Sequence, residues 1–181
     1  FIEEWKESVL PVLTPDFLAN IPIFRGTSEQ ERSQLLQVMR TERFDAGEIV
    51  LKSDEESRGL HVIVEGAVNV VLDVHGYRNP FIDDGDSPTL ERTDIAKLEI
   101  GSTFGEVSFF HGGTHSATVQ AVTDTEILTL TIEDYSQLLA KENIAAFKVA
   151  MNAAHILADR LRKADQLICE LELAQHETTA R

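Results

Sequence analysis

The spacing of apolar residues changes twice along the chain and divides it into three segments. In residues 1–43, apolar side chains recur every three or four positions, as on one face of a helix. Between residues 44 and 132 they form short runs rich in β-branched side chains. The helical spacing returns over residues 133–181. The pattern therefore predicts an α+β protein, with helices before and after a β domain.

The middle segment predicts an antiparallel β-roll or barrel, because many short strands alternate with glycine turns at Gly47, Gly66 and Gly76. The predicted strands are 49–51, 60–64, 68–72, 95–100, 117–122 and 126–132. A long polar stretch, residues 77–94, interrupts this series and contains two prolines and several aspartates. Since nothing in it could build a core, we expect a mobile insertion there.

The last segment predicts a short helix, Glu133–Leu139, and a much longer one that Asn143 can cap. No glycine or proline occurs between Ile144 and Ala174. A helix of this length spans roughly 45 Å, which is more than a small roll can cover. We expect residues 143–173 to form a parallel coiled-coil homodimer, and the alternative is that the helix folds back on its own domain.

Composition narrows the classes of function. The 181 residues carry 31 acidic and 16 basic side chains, which gives a formal net charge of −15. This charge disfavours binding to nucleic acid and docking on an anionic membrane, because both depend on positive charge. The single cysteine allows no internal disulfide, and no apolar run is long enough to cross a bilayer. A reducing, cytoplasmic compartment is expected.

The segment 101–121, called the cassette below, holds the candidate binding chemistry. Its pattern predicts a strand end, a glycine turn, a short helical turn and a returning strand. Gly105 allows the backbone to approach a ligand closely, and free N–H groups at the start of the short helix suit a phosphate. Glu106 is the one acid in an otherwise uncharged stretch and could accept a hydrogen bond from a sugar hydroxyl.

The cassette resembles the phosphate-binding cassette of the cyclic nucleotide-binding domain family, which includes the bacterial catabolite activator protein and the regulatory subunits of cyclic-AMP-dependent kinase. The matching residues are Phe104-Gly105-Glu106 and 116–121 in the cassette, with 21–24, 44–49 and 60–66 outside it. The resemblance implies an antiparallel β-roll of the double-stranded β-helix or jelly-roll type, N-terminal helices and a long C-terminal dimerisation helix. It divides the chain into a helical segment (1–43), the roll (44–132) and the hinge and dimerisation helices (133–181).

The resemblance also implies a ligand-gated regulatory domain for cyclic AMP or cyclic GMP, in which ligand moves the helices near Tyr135. The implied ligand-binding residues are Phe104, Gly105, Glu106, Val107, Ser108, His115, Ser116 and Ala117. His115 stands where the family has the arginine that pairs with the cyclic phosphate. Losing a charge-assisted hydrogen bond of roughly 1.5–3 kcal/mol would weaken binding about tenfold to a hundredfold.

Two interpretations of His115 remain open. The domain could bind cyclic nucleotides weakly, or another small anionic ligand, with an affinity that depends on pH. Alternatively, it is a degenerate domain that binds no nucleotide and acts in dimerisation or protein interaction. No lysine or arginine within the cassette replaces the missing arginine, and Asp54 stands where the family often has a turn glycine. By alignment, residues 162–165 would lie near the nucleotide base, where Asp165 could accept hydrogen bonds from guanine, but a solvated position on the helix is the favoured interpretation.

The sequence predicts no metal site, no catalytic site and no DNA-binding motif. Histidines at 61, 75, 111 and 115 suggest a cupin-type metal site, but the His-x-His motif with a following glutamate is missing, so no metal is expected. Cys169 has no histidine base nearby in sequence, and no triad is visible, so the chain is not expected to be an enzyme. The catabolite-activator branch continues into a basic helix-turn-helix, which residues 174–181 do not encode.

Overall fold

The structure is a computed structural model that describes residues 13–73 and 92–179. Its helices are α1 (Pro15–Ala19), α2 (Glu29–Val38), α3 (Glu106–His111), α4 (Ile132–Ala140) and α5 (Ile144–Thr179), with a 3₁₀ turn at Pro22–Phe24. Its strands are β1 (Arg40–Phe44), β2 (Ile49–Leu51), β3 (Gly59–Glu65), β4 (Ala67–Asp73), β5 (Arg92–Glu99), β6 (Thr103–Phe104), β7 (Thr118–Ala121) and β8 (Thr125–Thr131). Within these residues, no helix carries an apolar stretch that could cross a membrane.

The strands form two four-stranded antiparallel sheets, ordered β1-β8-β3-β6 and β2-β7-β4-β5. The two sheets enclose one apolar core, in which Ile63 and Ile127 of the first sheet meet Val68 and Val119 of the second. This arrangement confirms the predicted antiparallel β-roll. Tight turns set its corners, and the β3–β4 corner is Gly66 with φ +83°.

A second core joins the helices to the outer face of the first sheet. Leu60 and Val62 of β3, together with Leu128 and Leu130 of β8, pack against side chains from all the helical elements around them. β3 is therefore covered on both faces, which is why almost all of its residues are buried and apolar. The α5 residues in this core are Ala145, Ala146, Val149 and Ala153. The helices are thus packed directly on the sheet that carries the start of the cassette.

Local sequence signals explain where the helices begin. At α2, Ser28 and Glu31 form a capping box in which each side chain accepts a hydrogen bond from the other's backbone N–H. At α4, the Thr131 hydroxyl accepts from the Asp134 N–H. The predicted cap of the long helix is confirmed, because Asn143 Oδ1 accepts from the Ala145 N–H at 2.9 Å.

The predicted helical segment 1–43 extends too far at its C-terminal end. Residues 1–12 lie outside the described part, and Arg40–Phe44 form strand β1, which pairs with β8 along its whole length. Most side chains of β1 are exposed, so the strand carries no apolar alternation that would mark it. Pairing covers the open edge of β8, and this long-range contact is what selects the strand conformation.

The predicted insertion 77–94 is only partly described. Residues 74–91 lie outside the described part, so the expectation of a mobile segment concerns those residues and is untested. Arg92–Asp94 belong to β5, and Asp73 pairs with Arg92 at the end of the β4–β5 ladder. The strand thus begins earlier than the apolar pattern indicated, because backbone pairing with β4 continues past the last apolar side chain.

Candidate functional site

A cavity of 390 Å³ lies between the cassette, the second sheet and helix α5. All eight residues singled out from the sequence line it: Phe104, Gly105, Glu106, Val107, Ser108, His115, Ser116 and Ala117. They come from β6, from α3 and from the loop before β7, which fold back on each other within the cassette. The cassette therefore brings the predicted residues together, and the rest of the cavity is contributed by distant segments.

Gly105 sets the geometry of the cassette. It adopts φ +81° and precedes the first residue of α3. A Cβ placed on Gly105 would lie 2.9 Å from the Gly59 carbonyl oxygen and 2.9 Å from His61 Cδ2. Only glycine combines this left-handed conformation with such a close approach to β3. The backbone of the cassette is thus held tightly against the first sheet at the cavity wall.

Backbone hydrogen bonds fix the position of His115. Its N–H donates to the Glu55 carbonyl, and its own carbonyl accepts from the Asp54 N–H, both at 2.9 Å. Asp54 adopts φ +67°, a left-handed conformation that glycine adopts easily, which accounts for the turn glycine that the family often has at this position. The turn after β2 is therefore fastened to the cassette at His115, and it carries the nearby Arg58.

The side chain of His115 is buried, with 5% of its surface exposed. Its Nδ1 lies 2.9 Å from the Ser108 hydroxyl oxygen, and its Nε2 has no hydrogen-bond partner among the described residues. Burial lowers the pKa of His115 below its ordinary value, and the positive charge of Arg58 lowers it further, while Glu55 acts in the opposite direction. His115 is therefore neutral at pH 7, unlike the arginine it stands for.

Glu106 forms the most important charged contact of the site. It is the first residue of α3, and only 2% of its surface is exposed. Its carboxylate forms an ion pair with the guanidinium of Arg160, which reaches the cavity from α5 and is half exposed. Burial lowers the pKa of Arg160, but an arginine remains charged throughout the physiological range. The cavity thus contains a cation and an anion that neutralise each other.

Sequence reasoning missed Arg160. The sequence offered no basic residue within the cassette to replace the family arginine, and for residues 162–165 of the long helix it favoured a solvated position. All four of those residues are exposed, and Arg162 pairs with Asp159 one turn away. Arg160 differs from Arg162 through helix geometry, since a shift of two residues turns a side chain through about 200°. No local signal marks Arg160, because its role depends on where α5 crosses the roll.

Sequence reasoning also missed the structural role of His61. Its ring stacks on Phe104 with centroids 5.0 Å apart, and its Nδ1 lies 2.9 Å from the Thr129 hydroxyl. Burial lowers the pKa of His61 to about 3, and the nearby His115 and Arg58 contribute in the same direction. His61 is thus a neutral core residue behind the cassette. The available signal was the histidine within the otherwise apolar run 60–64 of β3.

The histidines do not assemble into a metal centre within the described residues, where no group of three or more potential metal ligands occurs. His61 and His115 are buried as described above, and His111 is exposed on the outside of the cassette. His75 lies outside the described part.

Removing the positive charge of Arg160 should destabilise the fold. We expect Arg160→Met to lower the free energy of unfolding by about 1–2 kcal/mol, because it leaves the buried Glu106 carboxylate unpaired. Glu106→Gln in the same chain should recover most of that loss, since the amide carries no charge. Urea denaturation of the native chain, both single variants and the double variant gives the coupling energy.

The control is Arg162→Met, which removes an exposed pair on the same helix. An equal loss in Arg160→Met and the control would contradict the prediction.

Comparisons with known proteins identify similar chains. A model of the cyclic nucleotide-binding domain family matches residues 41–142. The cyclic AMP receptor protein of Thermus thermophilus is 31% identical over 156 residues, which cover 86% of this chain and 63% of that protein. A cAMP-dependent protein kinase regulatory subunit of Debaryomyces hansenii is 28% identical over 68% of this chain and 24% of that protein. The solved structure of the Thermus thermophilus catabolite activator protein has a TM-score of 0.69 at 28% identity, covering 83% of this chain and 63% of that one. The chain therefore spans less than two thirds of the length of these relatives.

Proposed function

The chain belongs to the cyclic nucleotide-binding domain family, and from this premise we propose that it is a ligand-gated sensor whose cavity binds cyclic AMP or cyclic GMP weakly at neutral pH. One observation carries the proposal: all eight cassette residues line a single cavity that is also touched by Arg160 of α5. A ligand in this cavity would contact both the cassette and the long helix. The role is regulatory rather than catalytic, and it requires no metal.

Weak binding follows from the chemistry at His115. The position is occupied by a buried imidazole whose pKa is lowered, so it offers no permanent charge to a cyclic phosphate. An arginine would offer two parallel donors and a full positive charge. The remaining donors toward a phosphate are the Ser116 hydroxyl and the backbone N–H groups of the cassette. These groups support binding, but with a smaller electrostatic contribution.

Gating is supported by a chain of contacts from the cassette to the long helix. Phe109 and Phe110 of α3 pack against the ring of Tyr135 in α4, with centroids 5.0 and 5.8 Å apart. The Tyr135 hydroxyl donates to the Ala146 carbonyl of α5 at 3.1 Å. Together with Arg160, these contacts join α5 to the cavity at two places. A ligand that moves α3 would therefore shift the position of α5.

Calorimetric titration with cyclic AMP and cyclic GMP, at about pH 6 and about pH 7.5, tests the proposal. Because the pKa of His115 is lowered in the free protein, an anionic ligand should bind the protonated form more tightly, so affinity should rise as pH falls. The lower pH should not go far below 6, because the unfolded chain then protonates histidines that are buried and neutral in the fold, and stability falls.

The outcomes of this titration separate the two interpretations of His115. Millimolar or submillimolar binding that strengthens toward low pH supports a weak cyclic-nucleotide sensor. No heat with either nucleotide at either pH, up to millimolar ligand, supports the degenerate domain that acts only in dimerisation or protein interaction. The proposal also places the chain in the cytoplasm, which the single cysteine supports.

We also propose that the chain forms a homodimer through α5. The first part of this helix packs on its own domain through residues such as Val149 and Ala153. Its other face is apolar and exposed, at positions spaced by threes and fours or their sums: Ile144, Phe147, Met151, Leu161 and Ile168. Packing on its own domain and the proposed dimer contact would therefore use different faces of the helix. An exposed apolar seam of this spacing is typical of a coiled-coil interface.

A charge placed in this seam should prevent dimerisation. We expect the native chain to have twice the 20.2 kDa mass of one chain and Leu161→Glu to have the mass of one, because a buried glutamate pair is strongly disfavoured. Light scattering after size-exclusion chromatography measures both masses. Gln166→Glu is the matched control, since it adds the same charge at an exposed position off the seam. A native chain of single mass at high concentration contradicts the proposal.

A further inference from the structure

We propose that at neutral pH the cavity selects an uncharged ligand of nucleoside type, with hydroxyl or amino groups that donate hydrogen bonds, over a ligand that carries a cyclic phosphate. This inference rests on the proposed function, because it names the ligand class of the same site. It depends on the charges that line the cavity, on the hydrogen bonds of His115 and on the apolar character of the remaining walls.

The cavity has no charge left for an anionic ligand. Among the described residues that line it, Glu106 and Arg160 carry the formal charges, and they form an ion pair with each other. A phosphate that contacts the remaining N–H groups of Arg160 would share that single cation with Glu106. The Glu106 carboxylate, 2% exposed, would then stay buried next to a second negative charge. An uncharged ligand leaves the ion pair intact and incurs no such penalty.

The neutral ring of His115 has no free hydrogen-bond donor for a phosphate. The Ser108 hydroxyl donates to the Gly105 carbonyl at 3.2 Å, and the same oxygen lies 2.9 Å from His115 Nδ1. A hydroxyl has one hydrogen, so both contacts are hydrogen bonds only when Nδ1 carries the proton and donates to Ser108. Nε2 of the neutral ring then carries a lone pair, is itself buried, and has no donor among the described residues. The neutral ring therefore has no N–H left to donate to a phosphate.

The surroundings of His115 keep its ring neutral. Burial is the main cause of its lowered pKa, and the charge of Arg58 adds to it, while Glu55 opposes both. The neighbouring His61 is also neutral, because burial lowers its pKa to about 3. The ring therefore supplies no charge and no free donor at neutral pH, where the arginine of other family members would present both.

The rest of the cavity favours an uncharged ring system. Its inner walls come from the second sheet and include Leu51, Val70 and Val119. Its opening is bordered by side chains that line the cavity and are still exposed: Leu72 (38%), Ile95 (51%) and Val107 (49%). A charged group that crosses this apolar border loses hydration without gaining a partner. A flat, uncharged base with a sugar hydroxyl near Glu106 fits these walls.

Matched ligand pairs test the inference on the whole native chain. Adenosine is compared with cyclic AMP, and guanosine with cyclic GMP, by calorimetry at about pH 7.5. The members of each pair share base and sugar and differ in the cyclic phosphate. We expect at least one nucleoside to bind about tenfold more tightly than its cyclic nucleotide, or better. The His115→Arg variant should reverse that preference, because it supplies the missing charge.

The other outcomes overturn this inference, the role of His115 or the proposed function. Tighter binding of both cyclic nucleotides than of their nucleosides by the native chain overturns this inference and leaves the proposed function standing. If the native chain binds none of the four ligands, the proposed function is overturned as well, even where His115→Arg binds a cyclic nucleotide. An unchanged preference in a folded His115→Arg variant overturns the role of His115. No binding of any of the four by either protein overturns the proposed function as well.

Discussion

Replacing His115 with arginine should tighten the binding of cyclic AMP at about pH 7.5 by about tenfold to a hundredfold. The variant restores a permanent charge and a planar pair of donors at the position that faces the cyclic phosphate in the family. The gain corresponds to one charge-assisted hydrogen bond of roughly 1.5–3 kcal/mol. Calorimetric titration of the native chain and the variant at the same ionic strength measures the ratio of dissociation constants.

The pH dependence of this gain identifies its cause. In the native chain the lowered pKa of His115 makes an anionic ligand bind more tightly as the pH falls. In the His115→Arg variant the charge is constant, so its affinity should be nearly independent of pH and the gain should shrink toward about pH 6. A gain that stays constant across this range would show that the charge of the residue is not the cause.

Thr114→Arg is the matched control for this substitution. It adds the same charge one position earlier, where the side chain is exposed rather than buried. A general increase in positive potential would raise the affinity of both variants equally, whereas a specific contact raises that of His115→Arg alone. Because the new arginine replaces a buried ring, thermal unfolding of each variant has to accompany the titrations. Equal affinities in two folded variants would contradict the prediction.

Gly105→Ala should lower the free energy of unfolding by about 2–3 kcal/mol. The left-handed backbone conformation, at φ +81°, costs an alanine about 1–2 kcal/mol. In addition, its Cβ would lie 2.9 Å from the Gly59 carbonyl oxygen and 2.9 Å from His61 Cδ2. The Gly59 oxygen belongs to a paired strand, so relief requires α3 to move away from the first sheet. Urea denaturation measures the loss, and ligand titration shows whether the cavity changes with it.

Gly101 offers a control for the backbone contribution to this loss. It has the same φ, +81°, and a Cβ placed on it would meet no atom within 4 Å. Gly101→Ala should therefore show the conformational penalty without the steric one, and Gly105→Ala should be the more destabilised variant by about 1 kcal/mol or more. If both substitutions cost the same, the close approach of the cassette to β3 is not what requires a glycine.

The elements that sequence analysis predicted well are those whose own side chains carry the signal. Strands β2, β3, β4, β7 and β8 are marked by short apolar runs, and α4 and α5 by helical spacing and suitable caps. β1 was missed because most of its side chains are exposed and only the edge of β8 makes it a strand. β6 was predicted only as the strand end of the cassette, because its two residues carry no periodicity, and its pairing with β3 defines it.

The candidate site shows the same difference between residues marked by a local motif and residues that only long-range contacts bring together. A contiguous motif predicted all eight cassette residues, since neighbours in sequence are also neighbours in the folded loop. Arg160 could not be predicted, because two residues of an exposed helix, 160 and 162, differ only in the side of the helix on which they lie. The apolar cavity border formed by Leu72 and Ile95 was missed for a related reason, since only the pairing of β4 with β5 places both at the cavity.

The sequence by itself determined the β-roll, the long helix, the family and the histidine at the arginine position, because each of these depends on residue type and local spacing. Only the tertiary structure decided the electrostatics of the site: that Glu106 is buried and paired with Arg160, and that His115 is neutral. Charge state and ion pairing depend on burial and on distances between segments that are far apart along the chain. The proposed ligand chemistry therefore depends on the surroundings of His115 as much as on its own side chain.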